Sequence, residues 1–279
     1  MKYLILSGVH GDEQCAVLAA HKAIAGINNE NHSGIVIDHK VVNVPALKAC
    51  CREIPDEEEP TNDMNRMYGL RPVFSRENVI ADIKRKISEV DVLIDVHNSP
   101  SCCNGILISN NKYARDYVKF AETNGIRYMV RESAVPTAKK YAVEHGKIGI
   151  TVELGGMVYT PCFEKIMESQ VSFLHKLVMS LEVYEQLGGT FGNGIEPLPV
   201  TANMASIYSH SRGIVDYKVP LGQKVSAGDV LAEISTVGAS FKVVETVKAP
   251  YDGWIADVCQ QLCVDEGDSI CDFQREVRL

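Results

Sequence analysis

Gly8-Val9-His10-Gly11-Asp12-Glu13 places an imidazole and a carboxylate three residues apart, directly after the apolar run Tyr3-Leu4-Ile5-Leu6. The apolar run indicates a short buried strand, and the segment 14–25, rich in Ala and Leu, predicts a helix. His10 and Glu13 therefore lie on the turn between a strand and a helix, where two glycines allow the backbone to fold tightly. We expect both side chains at the C-terminal edge of a sheet, where open α/β proteins place their sites.

A second apolar run, 92–96, ends in His97 and is followed by residues 98–100, which we expect to form a loop. Taken alone, the first motif would more simply be a helix-start carboxylate beside a surface histidine. With His97 the set becomes two histidines and one glutamate, a known catalytic zinc set that leaves a position for water and lowers the pKa of that water. Whether Asp95 supports His97 from behind or points away from it along the strand stays open.

A third run, 148–152, is apolar and β-branched and ends in Glu153, followed by glycines at 155 and 156. A charged side chain at the inner end of a buried strand needs a partner or a task. Acting as general base for zinc-bound water is such a task, and pairing with a nearby arginine is the structural alternative. Arg52 and Arg66 lie between these runs, and an arginine offers a planar fork for carboxylates and a fixed charge for an oxyanion.

Together these residues resemble the succinylglutamate desuccinylase/aspartoacylase family, relatives of the zinc carboxypeptidases. Five short matches occur in the family's order and extend over most of the chain: 8–13, 43–46 leading to Arg52, 63–66, 95–97 and 152–156. No single match is specific, whereas five in order are. The resemblance implies one zinc ion (Zn2+) per chain, bound by His10, Glu13 and His97.

The same resemblance implies that Glu153 is the base, that Arg52 polarises the scissile carbonyl, and that Asn65 and Arg66 hold the substrate carboxylate. The implied function is zinc-dependent hydrolysis of the amide bond of a small N-acyl amino acid. A zinc carboxypeptidase acting on small peptides would use the same metal and base. Aspartoacylases carry an arginine before the base strand that helps to recognise an acidic substrate, but residues 136–141 have two lysines and no arginine. This departure leaves the acyl group and the amino acid unassigned.

Further strand and helix patterns alternate along the first two thirds of the chain. The predicted strands are 91–96, 105–108 and 127–130, and the predicted helices are 75–89, capped by Ser75, 111–124, 137–145 and a long helix from Pro161 to about 187. Such alternation predicts an α/β fold with a mainly parallel mixed sheet flanked by helices, which the resemblance makes zinc-carboxypeptidase-like. The glycine-rich segment 188–194 divides a catalytic domain, 1–190, from a second domain, 195–279.

The second domain is expected to be all β and contains a weak internal repeat, in which 213–231 corresponds to 253–270. It resembles the barrel-sandwich fold of lipoyl and biotinyl domains, especially at 247–253. A carrier or binding protein is therefore the non-enzyme alternative, with Lys242 as the candidate modified residue. The neighbours of Lys242 are not the methionines of the biotinyl motif, and an exposed lysine on a hairpin is the simpler interpretation. We expect this domain to cover the active site or to mediate assembly.

The net charge and the lack of long apolar runs argue against nucleic acid and membranes as partners, which leaves small molecules. The net charge of −8, from 28 basic and 36 acidic residues, argues against nucleic acid. No apolar run has the length of a membrane span, and the opening run Met1 to Leu6 is too short for the apolar region of a signal peptide. We therefore expect a cytoplasmic protein without membrane contact, which the odd number of cysteines, nine, also favours. The sequence leaves open whether the chain forms a homo-oligomer.

Two groups of residues near or outside the motifs receive simpler interpretations. The five acids within 53–59 indicate a solvated loop, with the alternative that it borders the site mouth. The remaining histidines have no neighbouring ligand pattern and are expected to be surface or satisfied core residues: His21, His32, His39, His145, His175 and His210.

Overall fold

The computed structural model describes residues 1–30, 32, 34–53, 63–69, 77–99, 104–109, 113–131, 136–155, 163–189, 191, 204–219, 223–237, 242–258 and 263–275. The first part of the chain alternates strands and helices: β1 (Lys2–Ser7), α1 (Gln14–Asn29), β2 (Val36–Val41), α2 (Val44–Ala49), α3 (Glu77–Ser88), β3 (Val92–Ser99), β4 (Gly105–Ser109), α4 (Ala114–Thr123), β5 (Tyr128–Arg131), α5 (Ala138–Glu144), β6 (Ile148–Gly155) and α6 (Phe163–Gln186). A short 3₁₀ helix, Met64–Arg66, lies between α2 and α3. The predicted helix starts at Ser75 and Pro161 lie outside the described residues.

Six strands form one mixed sheet in the order β2-β1-β3-β6-β4-β5. The pairs β1/β2, β1/β3, β3/β6 and β4/β5 are parallel, and β4/β6 is antiparallel. The predicted mainly parallel α/β sheet is confirmed. β3 is buried throughout because helices cover both faces of the sheet, which explains its continuous apolar run.

The edge strand β2 carries no strong strand signal, because its polar residues alternate with valine and isoleucine and most of it is only half-buried. Two of these polar residues form ion pairs with α3: Asp38 with Lys86, and Lys40 with Asp82. The strand is therefore placed by its pairing with β1 and by its contacts with α3, neither of which is visible in a local pattern.

Helices α1, α4 and α6 pack on one face of the sheet, and α3 and α5 pack on the other. Side chains of β3 point alternately to the two faces: Ile94 packs in the layer with α1, α4 and α6, and Leu93 packs in the layer with α3 and α5. Helix α1 approaches the sheet closely through small buried residues at helical spacing, namely Ala16, Ala19, Ala20 and Ala23. Residues at odd positions of β3, among them His97, consequently face the α3/α5 layer.

The rest of the chain is all β: β7 (Met204–Tyr208), β8 (Gly213–Tyr217), β9 (Lys224–Val225), β10 (Val230–Ser235), β11 (Val243–Lys248), β12 (Gly253–Val258), β13 (Cys263–Val264) and β14 (Ser269–Arg275). The strands form two four-stranded antiparallel sheets, β11-β10-β8-β13 and β7-β14-β12-β9. Their side chains enclose a separate apolar core that includes Leu231 and Phe273.

The predicted internal repeat is confirmed, because β8-β9-β10 corresponds to β12-β13-β14. The two copies interlock: β9 pairs with β12 of the other copy, and β13 pairs with β8. Equivalent turns close in the same way, since Ser226 N–H donates to Asp229 and Asp265 N–H donates to Asp268, each at 2.8 Å. The division of the chain into domains 1–190 and 195–279 stays a prediction. Among the described residues, no helix combines the length and apolar character that a membrane crossing requires.

Candidate metal centre

The turn after β1 is shaped by its two glycines. Gly8 has φ of +62°, a conformation that a side chain disfavours. A Cβ on Gly11 would lie 2.0 Å from the carbonyl carbon of Ala46, so only glycine fits against α2. The Gly11 N–H also donates to the carbonyl oxygen of Arg52 at 3.1 Å. The turn is thereby fixed between β1 and the end of α2, and the side chain of His10 is directed towards Glu13.

His10, Glu13 and His97 converge at the C-terminal edge of the sheet, and we call these three residues the inner cluster. Nδ1 of His10 lies 2.7 Å from Oε1 of Glu13, and Nδ1 of His97 lies 3.0 Å from Oε2. The three ligand atoms lie within 4.8 Å of one another, and each residue is only 4% exposed. The predicted convergence of these residues is thus observed, with one carboxylate oxygen facing each imidazole.

Each histidine of the inner cluster meets a second carboxylate through its other ring nitrogen. Nε2 of His10 lies 3.2 Å from Oδ1 of Asp63, and Nε2 of His97 lies 3.2 Å from Oδ2 of Asp95. Asp95 therefore supports His97, because residues two apart on a strand project to the same side. The Asp95 contact has an ion-pair distance but not the direction of a hydrogen bond, and both Asp95 oxygens are buried without a hydrogen-bond partner among the described residues.

Electrostatics favour positive charge inside the cluster. Burial opposes ionisation of Glu13, but the charge of His97 and the hydrogen bonds from both histidines outweigh it and lower the pKa of Glu13 to about 2. Burial likewise disfavours the protonated imidazoles, yet Asp63 and Glu13 raise the pKa of His10, and Asp95 and Glu13 raise the pKa of His97 well above its usual value. The carboxylates around the two imidazoles thus favour a positive charge there. Protons can supply this charge, and so can a metal ion, which competes with protons for the same nitrogen and oxygen lone pairs.

The donor set fits a zinc ion. Two imidazole nitrogens and a carboxylate oxygen are the ligands of one class of catalytic zinc sites. Hydrogen-bonded carboxylates behind metal-binding histidines fix the ring orientation and raise the basicity of the ligand nitrogen. The ligand set is present, and a carboxylate lies behind each histidine: Asp63 is hydrogen-bonded to Nε2 of His10, and Asp95 lies at ion-pair distance from Nε2 of His97.

Arg52 reaches the rim of the inner cluster from the end of α2. Its Nη2 lies 3.2 Å from Nε2 of His10, and its Nη1 lies 3.6 Å from Oε1 of Glu13. Nε2 of His10 therefore lies between the carboxylate of Asp63 and the guanidinium of Arg52, and it donates to Asp63 when protonated or accepts from Arg52 when unprotonated. The Arg52 side chain is 53% exposed, so its guanidinium faces both the cluster and the solvent.

Asn65 and Arg66 follow Asp63 in the 3₁₀ helix. Asp63 caps this helix by accepting the N–H of Asn65 at 2.8 Å. Nδ2 of the buried Asn65 lies 3.3 Å from Nε2 of His97, and its Oδ1 has no hydrogen-bond partner among the described residues. The guanidinium of Arg66 is partly exposed and lies 3.5 Å from Asp63. The structure thus brings both predicted residues next to the inner cluster, with Asn65 inside and Arg66 at the surface.

Glu153 occupies β6 beside the inner cluster. The parallel register pairs it with His97, so the two side chains project to the same face of the sheet on neighbouring strands. On its other side Glu153 pairs with Gly105 of β4. Its side chain is half-buried and engaged in contacts. The predicted base is therefore held on a central strand next to a proposed ligand, while its role stays a prediction.

Asn98 is a positioning residue that the sequence did not reveal. The expectation of a loop at 98–99 was wrong, because β3 continues to Ser99. The Asn98 side chain accepts the N–H of Ala16 at 2.6 Å and donates to the carbonyl of Leu154 at 3.3 Å, while its backbone N–H donates to Glu13 at 3.3 Å. Asn98 thus caps α1, which lacks a side-chain cap of its own. A cap 82 residues distant leaves no sequence signature.

Comparisons with known proteins agree with this architecture. Residues 1–181 match the model described as succinylglutamate desuccinylase/aspartoacylase catalytic domain, and residues 199–273 match the model described as biotin-requiring enzyme. The N-alpha-acetyl-L-2,4-diaminobutyric acid deacetylase of Halomonas elongata is 26% identical, over 96% of this chain and 80% of its own.

Solved structures of low sequence identity share the fold. The product-bound ectoine utilization protein EutE of Ruegeria pomeroyi superposes with a TM-score of 0.69 at 19% identity, covering 98% of this chain and 84% of its own. An aspartoacylase family protein from Mesorhizobium loti gives a TM-score of 0.71 at 17% identity, covering 100% and 86%. Both superpositions extend over the α/β and the all-β parts.

Proposed function

Because this chain belongs to the succinylglutamate desuccinylase/aspartoacylase family, we propose that it is a zinc-dependent hydrolase that cleaves the amide bond of a small N-acyl amino acid. The observation that carries the proposal is the inner cluster, whose two imidazoles and one carboxylate meet within 4.8 Å at a buried sheet edge. The fold by itself would not support this function, since one fold can have many functions. His10, Glu13 and His97 would hold the zinc.

Zinc in this ligand set supplies a Lewis acid that activates water near neutral pH and polarises a carbonyl. The side chains around it divide the remaining work. Glu153 accepts a proton from the attacking water and later returns it to the leaving amine. Arg52, with its half-exposed guanidinium beside the cluster, stabilises the negative charge that develops on the carbonyl oxygen.

Asn65 and Arg66 bind the carboxylate of the substrate. Arg66 presents a guanidinium at the surface beside the cluster, and a guanidinium binds a carboxylate through two parallel hydrogen bonds. The buried amide of Asn65 lies next to His97, so it can fix the position of the substrate between the metal site and Arg66. Asp63 and Asp95 do not touch the substrate in this scheme, and they hold the two histidines in orientation.

The Halomonas elongata relative is named for an acetylated diamino acid. An N-acetylated amino acid with a cationic side chain is therefore the first substrate to test. N-acetylaspartate and N-succinylglutamate belong in the same panel as acidic substrates for comparison. Residues 136–141 lack an arginine that would help to bind an acidic side chain. We expect neutral or cationic N-acetyl amino acids to be cleaved faster than the acidic ones.

The test is hydrolysis of that panel by zinc-loaded protein, with dipeptides of matched C-terminal residues alongside. We expect equal amounts of free carboxylic acid and free amino acid from the N-acyl substrates, loss of activity with a chelator, and recovery with zinc. Cleavage of the dipeptides with no cleavage of the N-acyl amino acids would replace the deacylase by the carboxypeptidase alternative.

A second candidate function, a covalent carrier, is favoured by the match of residues 199–273 to the biotin-requiring enzyme model. The candidate residue, Lys242, is exposed and precedes β11. Its backbone exchanges two hydrogen bonds with Thr236, since its N–H donates to the Thr236 hydroxyl and its carbonyl accepts the Thr236 N–H. Intact-mass measurement decides between the two, because a carrier gains the mass of its prosthetic group at Lys242 when isolated from cells.

A further inference from the structure

Glu30, His32 and His175 meet on the surface at the C-terminal end of α1, whereas Glu13 lies at its N-terminal end, and we call these three residues the outer cluster. Nε2 of His32 lies 2.7 Å from Oε2 of Glu30, and Nε2 of His175 lies 2.9 Å from the same oxygen. The three ligand atoms lie within 4.8 Å of one another. Their side chains are between 31% and 50% exposed, so water has direct access to all three.

The three residues are anchored on different segments. Glu30 is the C-terminal cap of α1, and its N–H donates to the carbonyl of Gly26 at 3.1 Å. His175 lies in the middle of α6. The carbonyl of His32 accepts the N–H of Ile35 at 3.3 Å, just before β2. Glu30 and His32 are close in sequence, whereas His175 reaches them because α1 and α6 pack on the same face of the sheet.

We propose that Glu30, His32 and His175 form a second, solvent-facing zinc site that bridges the C-terminal end of α1 to α6. Two imidazoles and a carboxylate are zinc ligands, and water can complete the coordination. Calcium and magnesium prefer oxygen ligands throughout, so a site with two imidazoles selects against them.

This site binds zinc more weakly than the inner cluster. Its side chains are 31–50% exposed, so they lose hydration and conformational freedom when a metal binds, which opposes binding. Among the described residues, neither His32 nor His175 contacts a second carboxylate of the kind that supports each histidine of the inner cluster. Such supporting groups typically contribute about a 10–100-fold difference in metal affinity. Bound zinc would stiffen the packing of α1 on α6 and raise the stability of the fold by mass action.

The experiment measures zinc binding by full-length protein in which the inner cluster is removed by His10→Ala and His97→Ala. Equilibrium dialysis against zinc alone is expected to give one bound ion per chain. Adding His175→Ala to this background should weaken zinc binding at least about tenfold, and His32→Ala should do the same independently. The matched control is His145→Ala, an exposed histidine whose ring stacks on Tyr141 and which contacts no carboxylate among the described residues.

Melting temperature supplies a second readout on the same proteins. Zinc should raise the melting temperature of the double-alanine background and of the His145→Ala control, and the rise should disappear with His175→Ala. Equal zinc affinity with and without His175→Ala would overturn the proposal, as would zinc binding that His145→Ala weakens as much as His175→Ala. Neither readout requires hydrolytic activity, so the outcome is independent of the proposed reaction.

Discussion

The inner and outer clusters contain the same residue types at nearly the same distances, yet their surroundings differ. In both, a glutamate faces two imidazoles at 2.7–3.0 Å. The inner cluster is buried between the sheet and its loops, and each histidine has a second carboxylate behind it. The outer cluster is open to water. The comparison teaches that the same three residue types can meet in two different environments, so the catalytic role proposed for the inner cluster rests on burial and supporting carboxylates as well as on its ligands.

The difference is electrostatic. Inside the protein the effective dielectric constant is low, so the charges of Glu13, His10 and His97 interact strongly and the pKa of Glu13 falls to about 2. At the surface, water and salt screen the same interactions. The inner cluster should therefore retain zinc through dialysis, whereas the outer cluster should exchange it.

The largest expected effect comes from removing the imidazoles of the inner cluster. His10→Ala with His97→Ala should abolish tight zinc binding and reduce turnover to the background rate, because two of the three residues that would hold the zinc are lost. The matched pair His32→Ala with His175→Ala should leave turnover unchanged. Metal analysis after dialysis and steady-state kinetics measure both. Comparable activity losses in the two pairs would erase the distinction between the clusters.

The second largest effect, a loss of turnover, is expected for Glu153, whose proposed role as general base has no counterpart in the outer cluster. Glu153→Gln should lower the single-turnover rate by a factor of about 10² to 10⁴, because an amide cannot accept the proton, while zinc content and melting temperature stay unchanged. If Glu153 is a structural ion-pair partner instead, the melting temperature falls and the rate per folded molecule is preserved. Rate, metal content and melting temperature are measured on one preparation.

Removing a supporting carboxylate should make the inner cluster behave more like the outer one. Asp95→Asn keeps the shape of the side chain and removes its charge next to His97, so zinc affinity should fall by about 10–100-fold. Asp38→Asn is the control, since Asp38 is an acid of β2 that pairs with Lys86 away from the cluster. Competition with a chelator of known affinity gives both values. An unchanged affinity in Asp95→Asn would show that the carboxylate behind His97 does not contribute to the difference between the two clusters.

Asn98 links the inner cluster to the framework, and its loss should affect stability. Asn98→Ala removes the cap of α1 and leaves the Leu154 carbonyl without its donor, so the free energy of unfolding should decrease by about 1–3 kcal/mol. Asn124→Ala removes a single bond to the Phe120 carbonyl at the end of α4, and should cost less. Denaturant titration of both variants provides the comparison. Equal losses would mean that Asn98 has no special role.

The smallest effect is expected for Arg66, at the outer rim of the site. Arg66→Lys keeps the positive charge and removes the planar fork, which should raise KM by about three- to tenfold, the equivalent of roughly one hydrogen bond. The loss should be smaller for a substrate analogue whose carboxylate is amidated. Kinetics on the acid and the amide measure this difference, and equal losses on both would assign Arg66 a structural role through its contact with Asp63.

The sequence by itself determined the features that rest on local patterns. Apolar runs that end in His97 and Glu153, and the glycine-flanked turn carrying His10 and Glu13, encode strands and turns within a few residues. Because parallel strands present their C-terminal ends at one edge of a sheet, these patterns also predicted that the side chains meet. The repeat of the all-β part was visible for the same reason, since each copy carries its own turn signal.

The tertiary structure alone decided the contacts between distant segments. Strand β2 was missed because its edge position lets polar residues face solvent and α3. Asn98 caps a helix that begins 84 residues earlier in the chain, at Gln14. The outer cluster joins Glu30 to His175, which are 145 residues apart, through the packing of α1 on α6. A local pattern reports a residue's own helix or strand, whereas such contacts depend on how separate elements pack, and no spacing along the chain records that packing.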